Sequence, residues 1–273
     1  MTQHPEKMMC LDIFADAVEA INSGELIELV SAKDKEFHFQ NWFEKRLVAT
    51  GTSYDQAGRN TYPDFALVHS PEGFELKGLA WPGRERDYDC NSQVPTGMHN
   101  GRHVFYVFGR YPADLTPYAS VDGPKKYPVI DLVMCHGDFL NSDHDYVHKN
   151  KNVKGFGSYG DIMIRDRKMY VAPTPFALTE GTTGLRTLIL PADWPVDDRF
   201  VAVGNLQRAE SPNLVVGYAF DLRTNVIVPQ TNPNPAAGIH YDFKAYRLAS
   251  EPPTPVSMVL GRVQPIDDNG ALE

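Results

Sequence analysis

Cysteine is scarce in this chain. Only Cys10, Cys90 and Cys135 occur among 273 residues, an odd number at wide spacing. That excludes a disulfide framework and points to a reducing, cytoplasmic setting. No run of about 18 apolar residues is present, so no transmembrane helix and no membrane partner are expected. The stretch from Met1 to Phe14 lacks a basic region followed by an apolar one, so no secretory signal is expected. Positive charge is short as well. A formal net charge of -9 argues against a protein that coats nucleic acid indiscriminately. It still admits a nucleic-acid enzyme that confines positive charge to one cleft. The chain has no internal repeat, low-complexity tract, phosphate-binding P-loop or nucleophile elbow.

What is present is ordinary globular material, 42% apolar and 22% charged. The length suffices for one large domain with a substantial core. Helical spacing of Met8, Met9, Leu11, Ile13, Phe14, Ala17, Val18 and Ile21 predicts a helix over 7–22. A short helix is expected over 25–30. A third runs from an Asp34 cap to about Thr50, with Phe39, Trp42, Phe43 and Leu47 as its apolar stripe. Lys45 and Arg46 fall on its solvent side. A nearly continuous apolar run, 103–111, predicts a central strand buried on both faces. Another strand falls within 128–139. Beyond 143 helical periodicity nearly vanishes, and strands are expected near 161–171, 185–190, 200–203, 214–220, 224–228 and 241–246. The fold class is α/β in the α+β sense: helices near the N-terminus, a central mixed sheet, then a β-rich C-terminal elaboration. Residues 1–140 form the core unit and 141–273 the elaboration, within one compact domain.

The chemistry concentrates in one hairpin. Residues 62–68 and 74–78 read as two strands joined by a turn at Ser70-Pro71-Glu72-Gly73. Side chains alternate along a strand, so Glu75 and Lys77 share one face while Phe74 and Leu76 pack on the other. Asp64 begins the partner strand and can lie opposite them. Two carboxylates and an ammonium on adjacent strands can hold a divalent metal and orient a water. The bland alternative is an exposed, salt-bridged strand ladder.

Pro63-Asp64 followed by Glu75-Leu76-Lys77 resembles the PD-(D/E)XK nuclease superfamily, most closely the type II restriction endonucleases. The resemblance covers roughly 34–135. It implies a restriction-endonuclease-like core: a helix, a three-strand meander carrying the motif on its second and third strands, a helix, and a further strand. Residues 82–102, with Pro82, Gly83, Pro95, Gly97 and Gly101, depart from it by offering no helix there. The implied activity is Mg²⁺-dependent, sequence-specific hydrolysis of double-stranded DNA, by a homodimer if the target is palindromic. Asp64 and Glu75 would bind Mg²⁺, and Lys77 would orient the attacking water and neutralise phosphoryl oxygens. Glu44, at the edge of the preceding helix's apolar stripe, is a candidate to reach the metal through water, or else a surface carboxylate paired with Lys45 or Arg46.

DNA contacts have two candidate segments. Between 149 and 168, Lys149, Lys151, Lys154, Arg165, Arg167 and Lys168 stand against Asp161 and Asp166, a basic stretch in an acidic chain. The polar loop after the hairpin carries Arg84, Arg86, Asn91, Gln93 and Arg102, residue types that read base edges. Other patterns are weaker. Gly155-Phe-Gly-Ser-Tyr-Gly160 precedes a strand rather than a helix, which excludes a dinucleotide site. His144 and His148 are four apart near Cys135 and His136, a conceivable zinc set, but the segment is not clearly helical and no Cys-x-x-Cys accompanies it, so ordinary surface and core residues are expected. Asp131 reads as a strand charge with a partner, or as a secondary acidic site. Two other functions stay open: a structure-directed repair or phage nuclease on the same core, and a non-catalytic β-rich module that binds carbohydrate or protein.

Overall fold

A computed structural model describes residues 8–29, 37–56, 62–83, 86–91, 95–118, 123–140, 163–165, 169–221, 223–224 and 226–258. In chain order the elements are α1 (Met9–Asn22), β1 (Leu26–Leu29), α2 (His38–Ala49), β2 (Tyr54–Gln56), β3 (Phe65–Leu67), β4 (Glu72–Trp81), β5 (Asp87–Asn91), β6 (Met98–His99) and β7 (Arg102–Pro112). Then come β8 (Lys125–Pro128), β9 (Asp131–His136), α3 (Gly137–Leu140), β10 (Met163–Arg165), β11 (Met169–Pro173), α4 (Pro175–Leu178) and β12 (Thr179–Glu180). The chain closes with β13 (Arg186–Pro191), β14 (Phe200–Ala209), β15 (Asn213–Asp221), β16 (Val226–Pro233), β17 (His240–Leu248) and β18 (Ser257–Met258).

A nine-stranded mixed sheet runs β14-β17-β13-β9-β7-β4-β3-β2, with β6 also paired to β7. β2, β3 and β4 form an antiparallel meander, and β7 lies parallel to β4 from Glu72↔His103 to Trp81↔Pro112. One sheet face, with Phe65, Phe74, Leu76, Phe105 and Val107, lies under α1 and α2. The opposite face, with Leu79, Val104, Tyr106 and Phe108, packs against Tyr88 and Cys90 of β5 and Ala172 of β11. β5, β11 and β10 form a separate three-stranded sheet. The molecule is thus mixed α/β, with few helices on one sheet face and a small β layer on the other. β15 and β16 pair only with each other among the described strands.

Two devices seat the helices. Gly78 and Gly109 face each other across β4 and β7. A Cβ on Gly109 would meet the Phe39 ring at 2.1 Å, and one on Gly78 would meet the Phe39 Cβ at 3.1 Å. The bare backbone pair is therefore the socket for α2's leading aromatic. For α1, the carboxylate of Glu72 accepts from the Met9 and Cys10 amides at 2.9 and 2.8 Å. It meets donors that the helix start leaves unpaired, where negative charge is favoured.

Several expectations change here. Residues 26–29 are strand β1, not helix, because they pair with β8 and Glu28 finds Lys126 across the strands at 2.6 Å. α2 begins at His38 rather than near Asp34, which lies outside the described residues. Arg46 is buried, because its guanidinium bridges Asp16 of α1 at 3.3 Å and Glu25 at 2.7 Å and lies over the Trp42 ring. Glu72 belongs to β4 rather than to the turn, since capping α1 draws it into the core. The segment after β4, expected to be a polar loop, holds β5 and β6 among its described residues.

Candidate active site

The meander delivers Asp64, Glu75 and Lys77 to one place. Phe65 pairs with Phe74 and Ala66 with Gly73, so Asp64, one residue before β3, falls across from Glu75. Gly73 makes room for the motif proline, since a Cβ there would meet the Pro63 ring at 2.5 Å. Asp64 Oδ2 accepts at 2.8 Å from the amide of Leu76, the residue between Glu75 and Lys77. Lys77 Nζ donates to Glu75 Oε1 at 2.7 Å. Phe74 and Leu76 face α2 as expected, so Glu75 and Lys77 point to the helix-free face.

That face is enclosed rather than open. The Lys77 and Glu75 side chains keep 15% and 13% of their exposure. Tyr88 of β5 places its ring 5.9 Å from Lys77 Nζ. Tyr62 and Tyr106 join hydroxyls at 2.9 Å, and the Tyr62 ring meets His99 edge-on at 5.0 Å. Burial, then the neighbouring Glu75 charge, push the Asp64 carboxyl up to about 7, against the pull of the Leu76 amide and Lys77. For Lys77, burial alone would lower the ammonium, but Glu75, by charge and hydrogen bond, holds it above its ordinary value. Burial and the Glu75 charge raise Tyr62 strongly. Burial takes Cys90 up to about 12 despite Lys77 nearby. Burial is thus the largest influence on each of these groups, and Glu75 is the charge that recurs among them.

Such a centre suits a hard cation. Asp64 and Glu75 offer carboxylate oxygens on adjacent strands, and Mg²⁺ takes one or two carboxylates while keeping waters and substrate oxygens. No group of three or more His, Cys, Asp or Glu that could hold a metal occurs among the described residues.

Glu44 does not join this cluster. Its Oε1 accepts from the Tyr54 hydroxyl at 2.6 Å, and the Tyr54 ring packs edge-on against Phe65 at the helix side of the sheet. The hydrogen bond, followed by burial, raises Tyr54 to about 12. The Glu44 carboxylate is thus held on the face opposite Glu75 and Lys77, and Arg46, one of the partners expected for it, is taken by Asp16 and Glu25.

The candidate DNA contacts divide. Arg102 donates to the Leu67 and Ser70 carbonyls at 2.5 and 3.0 Å, so it ties down the β3–β4 turn instead of presenting itself to a base. Arg86 is exposed at the start of the segment leading into β5, and its carbonyl receives the Thr174 amide at 2.9 Å. Asn91 ends β5 opposite Tyr170, and Arg165 ends β10 opposite Met169; both side chains lie outside the described set. Arg84, Gln93, Lys149, Lys151, Lys154, Arg167, Lys168, the 155–160 glycine pattern, His144 and His148 lie outside the described residues. Asp131 has the partner expected of it, Arg110 at 2.9 Å, both buried. His136 lies beside His103 at 3.4 Å and Asp138 at 3.5 Å under Trp194.

Sequence reasoning missed the tyrosines. Tyr62 precedes the motif by one residue, and Tyr106 alternates with Val104 and Phe108 on the same face of β7. That period-2 pattern was readable. Tyr88 was not, because nothing local placed β5 over β4. All three cysteines are free and buried, and among the described residues no helix is long and apolar enough to cross a membrane. No family model, curated protein or solved structure matches the chain.

Proposed function

We propose that the chain is a Mg²⁺-dependent, sequence-specific endonuclease for double-stranded DNA, of the PD-(D/E)XK type and the type II restriction class. One observation carries this reading: Asp64, Glu75 and Lys77 converge on adjacent strands of a meander, and the next sheet strand on that side, β7, runs parallel to β4. A helix, the meander with the motif on its second and third strands, and a further strand are the parts the resemblance asks for. β5 and β6 stand where it has a second helix. The enclosed setting of the Glu75–Lys77 pair also favours this reading over a solvated strand ladder.

In this reading Asp64 and Glu75 hold the cation. When bound, Mg²⁺ supplies Lewis acidity toward water and charge neutralisation at phosphate. Lys77, kept charged by Glu75, donates hydrogen bonds to the attacking water and to phosphoryl oxygens as negative charge develops. The Leu76 amide fixes Asp64 so that its carboxylate is oriented before substrate arrives. The exposed Arg86 and the basic segment 149–168 are the candidate DNA contacts, and a palindromic target would be met by a two-fold homodimer.

Plasmid incubated with the protein and Mg²⁺ tests the proposal. Discrete fragments that vanish with chelator support it. Nicks or smears point to the structure-directed nuclease instead, and an intact plasmid with either Mg²⁺ or Mn²⁺ contradicts both.

A further inference from the structure

We propose that Tyr88 of β5 is a positioning residue that fixes the Lys77 ammonium, an inference that rests on the nuclease reading above. Lys77 sits between two groups of different kinds. Glu75 Oε1 takes one of its protons at 2.7 Å. The Tyr88 ring, with its centroid 5.9 Å from Nζ, covers it from above. A ring face within about 6 Å attracts a cation without consuming its hydrogen bonds. The ammonium therefore keeps donors for a water and a phosphoryl oxygen.

Tyr88 is itself immobilised. It is 4% exposed. Its ring meets Phe108 edge-on at 4.9 Å and Tyr106 at 6.2 Å, both on the sheet face that carries Lys77. The backbone holding it is pinned as well: Tyr88 pairs with Ala172 of β11, and the Thr174 amide reaches the Arg86 carbonyl at 2.9 Å. β11 starts at Met169, directly after the basic segment 149–168, and β5 follows directly on Arg86. The residue that leads into β5 and the end of β11 thus meet at the strand pair that holds the ring over Lys77.

Tyr88→Phe and Tyr88→Trp keep a ring face; Tyr88→Met and Tyr88→Leu keep apolar bulk without one. Single-turnover cleavage by the methionine and leucine variants is expected to fall about 10- to 100-fold with DNA affinity unchanged, while the aromatic variants stay near wild type. In NMR spectra, the Lys77 side-chain methylene protons are expected to show an upfield ring-current displacement in wild type and Tyr88→Phe, lost in Tyr88→Met. A loss of packing alone would not separate phenylalanine from methionine in this way. A folded Tyr88→Met that cleaves at the wild-type rate, or a wild type whose Lys77 resonances show no ring-current displacement, overturns the role of Tyr88. A wild type that cleaves no DNA overturns the nuclease reading beneath it, which the plasmid assay reports separately.

Discussion

Two glutamates show how placement decides what a carboxylate does. Glu44 has the right chemistry for a metal and the wrong side of the sheet, its Oε1 taken by Tyr54. Glu44→Gln is therefore expected to leave cleavage within about threefold of wild type while costing about 1 kcal/mol of stability, the size of an ordinary hydrogen bond. A loss of cleavage comparable to that of a metal ligand would place Glu44 in the centre after all. Glu72 is buried against the start of α1, and burial lifts it from 4.5 to about 7 even though the Met9 and Cys10 amides pull it down. The folded chain holds this proton more tightly than the unfolded chain. The Glu72 contribution is thus full below about pH 4.5 and lost as pH rises through about 7. Glu72→Gln removes the titration. The stability of the variant relative to wild type should rise by up to about 3 kcal/mol across that window and stay level above it. Urea unfolding across the window measures this, and parallel profiles for the two proteins contradict it.

At the scale of elements, α2 is registered by one aromatic in a socket of two glycines. Gly109→Ala puts a methyl into the Phe39 ring. It should destabilise by roughly 1–3 kcal/mol, the usual cost of overpacking, and pairing it with Phe39→Leu should recover part of the loss in denaturant melts. Equal losses in the single and double variants would mean that Phe39 is not what the methyl meets. Much at this scale was legible in advance. α1, the stripe of α2, the β3–β4 hairpin and the apolar β7 follow from periods of 3.6 and 2, which are local properties, whereas β2 falls in a stretch that reads as polar and turn-rich. What was not legible depends on partners far along the chain. β1 reads as a helical turn until β8 supplies its pairing. Arg46 reads as solvent-facing until Asp16 and Glu25 close on it. Within the site, Asp64, Glu75 and Lys77 announced themselves through a short motif, while Tyr88 needed β5 to cross the sheet face, which no local signal encodes.

Across the whole molecule, a buried cation adds to the β12–β18 pairing in holding the end of the described chain in place. Arg247 donates to the Pro252 and Thr254 carbonyls at 3.0 and 2.7 Å and also to the Gly181 carbonyl. Arg247→Ala should strand those acceptors, lower stability by roughly 3–5 kcal/mol, and open the segment after Leu248 to proteases. Unchanged proteolysis there would show that the segment is held by other contacts. The candidate centre depends on the same frame, because β4 and β7 are interior strands flanked on both sides. On the nuclease proposal, Asp64, Glu75 and Lys77 act together on one phosphodiester. Single-turnover cleavage of one bound DNA duplex with Mg²⁺, compared among wild type, Asp64→Ala, Glu75→Ala, Lys77→Ala and the triple variant, tests it most directly. Residues acting as one unit give grossly non-additive losses. Each single variant should lose roughly 1,000-fold or more with DNA affinity largely kept, and the triple variant should be little worse than the singles. Wild-type cleavage by any one of the three, or losses that multiply across them, would contradict the account.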